Sequence, residues 1–397
     1  MPYVAVAIVG GGVIGRAIAL ECTRRGISDV VVVERLPSDR VDNQSTRNSG
    51  VIHAGIYYKR QQRPLKARLC VSGNESLYQF CERYEVPHAR CGKLLVALDD
   101  CEAEYLQDIW NTATENGVPD VRMIDGDEAR SMEPNVTAHR ALHVPTSGIV
   151  DAAYLLQRLR QLSSAHNLDG CTVERIDKHR DGFELTCTRG TQQETFVAHR
   201  VINAAGLYAD DIARLFNPES TWKILSVRGE SARFNKTLRT ELNMRGMNIY
   251  PAPHGFDKKT GKRLHIRLAE FRDRLAREEI IDSVGVHLTP TLDADGRVSS
   301  TVTIGPALTM VSDREDYGDK LHSASRYHDG VSRFFPGLQL EDVELHQAGI
   351  MARLSDRIDW WMAADPNDDR FINLLGLDSP ALTACLAIAE HVVTTLV

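Results

Sequence analysis

The sequence predicts an α/β chain carrying a second, smaller antiparallel sheet. Three observations predict it. Val4 to Val9 and Val30 to Val33 are short continuous apolar runs on either side of a helical stretch, the pattern of parallel strands buried on both faces. Residues 222–316 show β-branched alternation, many turn residues and little helical period, the pattern of antiparallel strands. A strand, a turn and a long apolar helix then return near the C-terminus, at Phe371 to Leu375, Gly376 to Pro380 and Ala381 to Thr395.

In chain order, Val4 to Val9 enters Gly10-Gly11-Gly12-Val13-Ile14-Gly15, and Arg16 to Arg25 reads as a helix stopped by Gly26. Val30 to Val33 ends at Glu34-Arg35. A Gly-x-Gly-x-x-Gly turn between strand and helix, with an acid closing the second strand, marks a Rossmann-type dinucleotide unit. Gly10 permits the tight turn, Gly12 lets backbone approach a pyrophosphate, and Gly15 lets helix and strand pack closely. Val13 and Ile14 open the helix whose N–H groups face the phosphates. Glu34, followed by Arg35, accepts from ribose hydroxyls and argues against a 2′-phosphate, hence against NADP.

Further on, Leu65 to Glu85 is an amphipathic helix, Cys91 to Leu98 a strand and Glu102 to Asn116 a helix. Asp151 caps a helix running to Leu162. Cys171 to Ile176 and Gly182 to Thr188 suit a hairpin, and Phe196 to Ala205 is a further strand. Val284 to Leu288 and Val298 to Ile304 are strands joined by a turn at Asp293 to Gly296. Lys258 to Glu279 is highly charged and reads as a solvated loop or insertion.

Composition excludes several functions. The formal net charge of −7 offers no basic excess for nucleic acid. Eight cysteines form no C-x-x-C pair, so neither a zinc knuckle nor a redox dithiol is indicated and no metal is expected. Scattered reduced thiols, the absence of a visible signal or transit peptide and the lack of a long apolar run predict a cytoplasmic protein. Mitochondrial placement and peripheral membrane contact stay open.

NAD and FAD both use this fold, and two later features favour FAD. Val201 to Gly206 is a strand ending in the small residues Ala205 and Gly206, suited to passing under a bound cofactor. Gly376, Leu377, Ser379, Pro380 and Ala381 form a turn into a helix whose N-terminus faces the flavin, where charge builds on reduction. The polar, glycine-rich loop after the second strand adds Thr46, Asn48 and Ser49 as pyrophosphate contacts, and Val173 and Gly349 complete the cofactor set. His53 sits in the same loop, where the backbone runs alongside the isoalloxazine ring.

Seven segments carry a family resemblance: NSGVIHAGIYY at 48–58, LKARLC at 65–70, CGKLLVA at 91–97, IYPAP at 249–253, GVHLTPT at 285–291, TIGP at 303–306 and FINLLGLDSPALTACLAIAEHV at 371–392. They closely resemble the L-2-hydroxyglutarate dehydrogenases (oxidases) of the FAD-dependent D-amino-acid oxidase superfamily. The resemblance spans nearly the whole chain. It implies hydride transfer from a 2-hydroxy acid, L-2-hydroxyglutarate above all, to flavin N5, giving 2-oxoglutarate. An amine, an amino acid or another hydroxy acid is the alternative substrate. His53 is the candidate base, since neutral imidazole suits proton abstraction near neutral pH, and His287 is the second candidate. A covalent tether from His53 to the flavin stays open. Lys93, Tyr250, Tyr57 and Arg353 are candidate substrate contacts. Where many relatives read A-G-[VI]-R, this chain has Ala348-Gly349-Ile350-Met351, and Arg353 stands two positions on, on the same strand face. The resemblance implies a cofactor unit from residues 1–85, 145–215 and 340–397, with 86–144 and 216–339 as the substrate unit that roofs the pocket. Oxygen, a quinone and an electron-transfer flavoprotein remain open as electron acceptor.

Overall fold

The computed structural model describes residues 2–40, 42–259, 262–318 and 321–397. It holds two eight-stranded sheets of unlike type. The first has a parallel centre. Tyr3–Val9 lies between Val30–Glu34 and Gln192–Asn203, and His166–Asp169 extends the sheet beyond Val30–Glu34. The last residues of Gln192–Asn203 pair in parallel with Asp368–Leu375, through Val201 opposite Phe371 and Asn203 opposite Asn373. Residues pointing to both faces of these strands are apolar because both faces are covered, one by helices and the other by the hairpin after Cys171 together with the helix Ala209–Phe216. Val30, Val31, Val32 and Val33 are all buried, each stabilising by about 1.5–3 kcal/mol relative to exposure. One face carries Val13–Arg24, Ala381–Thr395, Pro64–Arg83 and Ala152–Leu162 around a common core. Asp151 caps the last of these, its carboxylate accepting from Tyr154 N–H at 2.9 Å. The hairpin expected from Cys171 onward is Thr172–His179 with Gly182–Arg189, and it prolongs the same sheet on the other side of Gln192–Asn203.

The second sheet runs Glu344–Leu354, Ile224–Asn235, Val298–Val311, His287–Leu292, Asn248–Pro251, Lys93–Ala97, Arg140–Val144, Arg122–Asp125. All neighbours are antiparallel except Asn248–Pro251 with Lys93–Ala97, which are parallel. More than a hundred residues separate that pair in sequence, ample for the crossover a parallel pair requires. His287–Leu292 and Val298–Val311 meet through the turn at Asp293 to Gly296, closed by Asp293 N–H donating to Arg297 O at 2.8 Å. Glu344–Leu354 belongs to this sheet, although it lies inside the C-terminal segment expected with the first.

The charged stretch from Lys258 to Glu279 is not a plain loop. Its described part contains the helix Leu268–Ala276, flanked by the paired strands His254–Asp257 and Ile280–Ser283. The apolar spacing Leu268, Phe271, Leu275 is helical, and Phe271 is buried edge-on against Tyr105, with ring centroids 5.3 Å apart. The charges bind the helix Asp100–Asn116: Arg263 pairs with Glu102 at 2.6 Å, Arg272 with Asp108 at 2.5 Å, and Arg267 with Glu104. Among the described residues no helix is long and apolar enough to cross a membrane. All eight cysteines are free.

Candidate active site

The glycine turn is built by close approach. A Cβ on Gly15 would lie 1.9 Å from Gly10 O, so helix and turn pack at a distance only glycine allows. Gly10 has φ +112°. Gly12, in contrast, has open space above it: an added Cβ would meet only the Ser45 hydroxyl, at 3.1 Å. Val13 N–H donates to that hydroxyl at 2.9 Å, and no side chain caps the helix from Gly12. The Glu34 carboxylate accepts from Gly11 N–H at 2.6 Å and Leu36 N–H at 2.9 Å, and each oxygen keeps a lone pair for a ribose hydroxyl. These features fit a dinucleotide: a helix N-terminus whose own cap residue is glycine, a glycine surface and a fixed carboxylate at the end of the neighbouring strand.

The other expected cofactor residues fall into two groups. Gly206 (φ +59°) and Gly376 (φ +68°) sit at turns after adjacent parallel strands, bridged beneath by Asn203 donating to Asn373 Oδ1 at 2.8 Å. Ala205 follows that bridge, and Leu377, Ser379, Pro380 and Ala381 lead into the last helix, again without a side-chain cap. Gly349 brings the second sheet against the polar loop, since its Cβ would lie 1.9 Å from Arg47 O. In that loop Asn48 is spent on backbone, donating to Ser45 O at 2.7 Å and accepting from Gly50 N–H at 2.9 Å. Thr46 donates to Asn43 O, and Ser49 is exposed. Val173 is buried in the core behind the sheet. Arg35 lies over the Tyr208 ring at 4.1 Å and pairs with Glu315 at 2.9 Å.

His53, Lys93, Tyr57, Tyr250 and His287 are brought together. Tyr250 and His287 stack, with centroids 3.7 Å apart and planes 20° apart. Lys93 Nζ lies 3.8 Å from the Tyr250 centroid and 5.7 Å from that of Tyr57. His287 Nδ1 bonds Gly285 O at 3.1 Å, so it carries the proton and leaves Nε2 with a lone pair. Burial pushes the His287 pKa down to about 3, with Lys93 adding to the effect. Burial, then Lys93 and His287, hold His53 well below the ordinary imidazole value. Both imidazoles are therefore neutral near pH 7. His53 Nε2 lies 3.2 Å from Ser379 Oγ, and its buried Nδ1 has no partner among the described residues.

Arg353 does not join this cluster. It is half-exposed, and its Nε lies 3.7 Å from Asp378, whose carboxylate also holds the buried Lys66 at 2.6 Å. Arg353 stands one residue from the end of its strand, where a long side chain finds the acid of the neighbouring turn. Met351, opposite Val227, is half-buried and offers no charge in its place. One group of potential metal ligands occurs among the described residues, Asp99, Cys101 and His265, at the start of the helix Asp100–Asn116.

Sequence reasoning missed the residues that hold His53. Asn74, buried on Pro64–Arg83, donates to His53 O and to Thr146 O, both at 2.9 Å. Thr383, on the last helix, accepts from His53 N–H at 3.0 Å. A polar residue on the apolar face of each helix was the available signal. Replacing Asn74 with leucine leaves two buried carbonyls short of a donor, so a loss of about 1–3 kcal/mol per group is expected. A fall in the urea midpoint with unchanged slope measures it, and an unmoved midpoint would remove Asn74 from this role.

The L-2-hydroxyglutarate dehydrogenase, mitochondrial, of Caenorhabditis elegans is 28% identical, over 99% of this chain and 93% of its own length. The L-2-hydroxyglutarate dehydrogenase of Escherichia coli (strain K12) is 26% identical, over 98% and 92%. The dithionite-reduced L-alpha-glycerophosphate oxidase of Mycoplasma pneumoniae, solved with FAD bound, shares the fold: TM-score 0.82 at 24% identity, over 100% of this chain and 95% of the other. The FAD dependent oxidoreductase model matches residues 5–395, and the chain belongs to that family.

Proposed function

We propose that the protein oxidises L-2-hydroxyglutarate to 2-oxoglutarate. The observation that carries this reading is the cluster itself: two neutral imidazoles and a buried lysine without a carboxylate partner among the described residues, all beside the loop that borders the cofactor turn. The names of full-length relatives support the substrate. FAD, when bound, supplies the hydride acceptor. Glu34, the Gly10 to Gly15 turn and the Gly376 to Ala381 turn would hold it.

The protein's share of the chemistry is proton handling and positioning. His53 takes the substrate hydroxyl proton at Nδ1, the nitrogen without a partner among the described residues, while Nε2 is hydrogen-bonded to Ser379 Oγ. Asn74 and Thr383 keep the ring in place through the His53 backbone. Lys93 attracts a substrate carboxylate, and Tyr250 and Tyr57 wall the space around it. His287, whose Nδ1–H donates to Gly285 O and leaves a lone pair on Nε2, is the second candidate to take that hydroxyl proton.

Anaerobic mixing of the yellow protein with L-2-hydroxyglutarate tests the reading. Rapid bleaching of the flavin band, with 2-oxoglutarate formed, is expected. Reoxidation by oxygen, a quinone or an electron-transfer flavoprotein then identifies the acceptor. A second reading rests on Met351, which leaves no charge at its position: a substrate with one carboxylate, either a shorter hydroxy acid or an amino acid. Bleaching by L-lactate or by amino acids, with none by L-2-hydroxyglutarate, would replace the first reading with the second.

A further inference from the structure

We infer that this pocket takes up its anionic substrate together with one proton, which ends on Lys93. The inference rests on reading the cluster as a carboxylate site. Lys93 is 1% exposed. The groups facing it come from five elements. The loop before Pro64–Arg83 supplies His53 and Tyr57, and that helix supplies Cys70. Asn248–Pro251 supplies Tyr250, and His287–Leu292 supplies His287. Cys91 precedes Lys93 on its own segment, while the paired strand Arg140–Val144 places only Val144 opposite it.

None of these groups is an anion near pH 7. Imidazoles are neutral or positive, never negative. Burial raises the Cys70 thiol strongly and the Cys91 thiol to about 11, and it raises the Tyr250 phenol too. What Lys93 has is the face of Tyr250, and a cation over a ring recovers only part of the hydration that a buried ammonium loses. Lys66 marks the contrast. It is similarly enclosed, yet Asp378 stands 2.6 Å away. The protein supplies one buried lysine with a permanent counter-ion and, among the described residues, leaves the other without one. Burial accordingly brings Lys93 down to about 7, so at mildly alkaline pH, before substrate arrives, it is a neutral amine. A carboxylate arriving beside it restores the charged form, and the proton comes from solvent: amine, proton and carboxylate give an ammonium–carboxylate pair.

The test uses the oxidised holoenzyme and 2-oxoglutarate, the product of the proposed reaction. Titration calorimetry at each pH in two buffers of different ionisation enthalpy gives the number of protons taken up. With the pKa of free Lys93 near 7, about 0.9 proton per site is expected at pH 8 and about 0.5 at pH 7. Affinity should weaken towards tenfold per pH unit above about 8. Lys93→Arg keeps its charge throughout, so uptake should vanish and affinity become flat with pH. Binding at pH 8 with uptake below about 0.1 overturns the inference and leaves the functional reading standing. Uptake that persists in Lys93→Arg assigns the proton to a histidine and also overturns it. Absence of 2-oxoglutarate binding at every pH overturns both.

Discussion

Replacing His53 with alanine lowers the rate of flavin reduction by about 10²–10⁴-fold, the usual contribution of a positioned base, while the protein keeps its flavin. Stopped-flow reduction by L-2-hydroxyglutarate measures the rate, and the flavin-to-protein absorbance ratio measures retention. Retention is expected because Asn74 and Thr383 hold this segment through the backbone of residue 53, which alanine leaves in place. The pH profile adds a sharper expectation. Burial and the neighbouring Lys93 and His287 keep His53 well below the ordinary imidazole value. The wild-type rate at saturating substrate should therefore show no acid limb between pH 6 and pH 8, whereas an ordinary histidine base would lose activity near its pKa of about 6.5. Near wild-type reduction by the variant would remove His53 from the chemistry. Flavin that denaturation releases from the variant but not from the wild type would make His53 a tether instead.

The second large effect lies at the glycine turn. Gly15→Ala places a Cβ 1.9 Å from Gly10 O and 3.2 Å from Ile8 Cγ2, so the helix must lift off the strand. A cost of about 2–5 kcal/mol is expected, with flavin occupancy falling below about a tenth of wild type. Gly26→Ala is the control. Nothing lies within 4 Å of its added Cβ, and its φ of +73° costs about 1–2 kcal/mol of strain without touching the turn. Equal flavin loss in both variants would mean that global stability, and not the close approach at Gly15, decides cofactor binding.

The parts of this molecule that were legible in sequence are those where short-range pattern and chemistry coincide. Val30 to Val33 reads as a doubly buried strand because four valines in a row suit nothing else so well, and the glycine spacing names its turn. His53 and Lys93 were found through the segments that contain them. What joins them was not legible. Tyr250 and His287 stack because two strands far apart in sequence are neighbours in one sheet, and no local pattern records that register. Arg353 shows the converse. Strand alternation places it on the face of Met351, yet Asp378 claims it, a contact visible only once the two turns are adjacent. The charged stretch after Lys258 misled because a few apolar residues among many charges look like a solvated loop, until Phe271 is seen against Tyr105.

The last sixty residues supply strands to both sheets: Glu344–Leu354 to one, Trp361–Asp365 and Asp368–Leu375 to the other. During synthesis, therefore, neither sheet is complete until the ribosome has passed about residue 375. The strand Tyr3–Val9 that leads into the glycine turn must wait for its later partner Gln192–Asn203, and the helix after the turn for Ala381–Thr395. Such long-range closure makes for slow folding and leaves apolar edges open on the nascent chain. A chain released before about residue 375 should be a client of chaperones and proteases rather than a smaller flavoprotein, since it would lack the strand beside Val201 to Asn203.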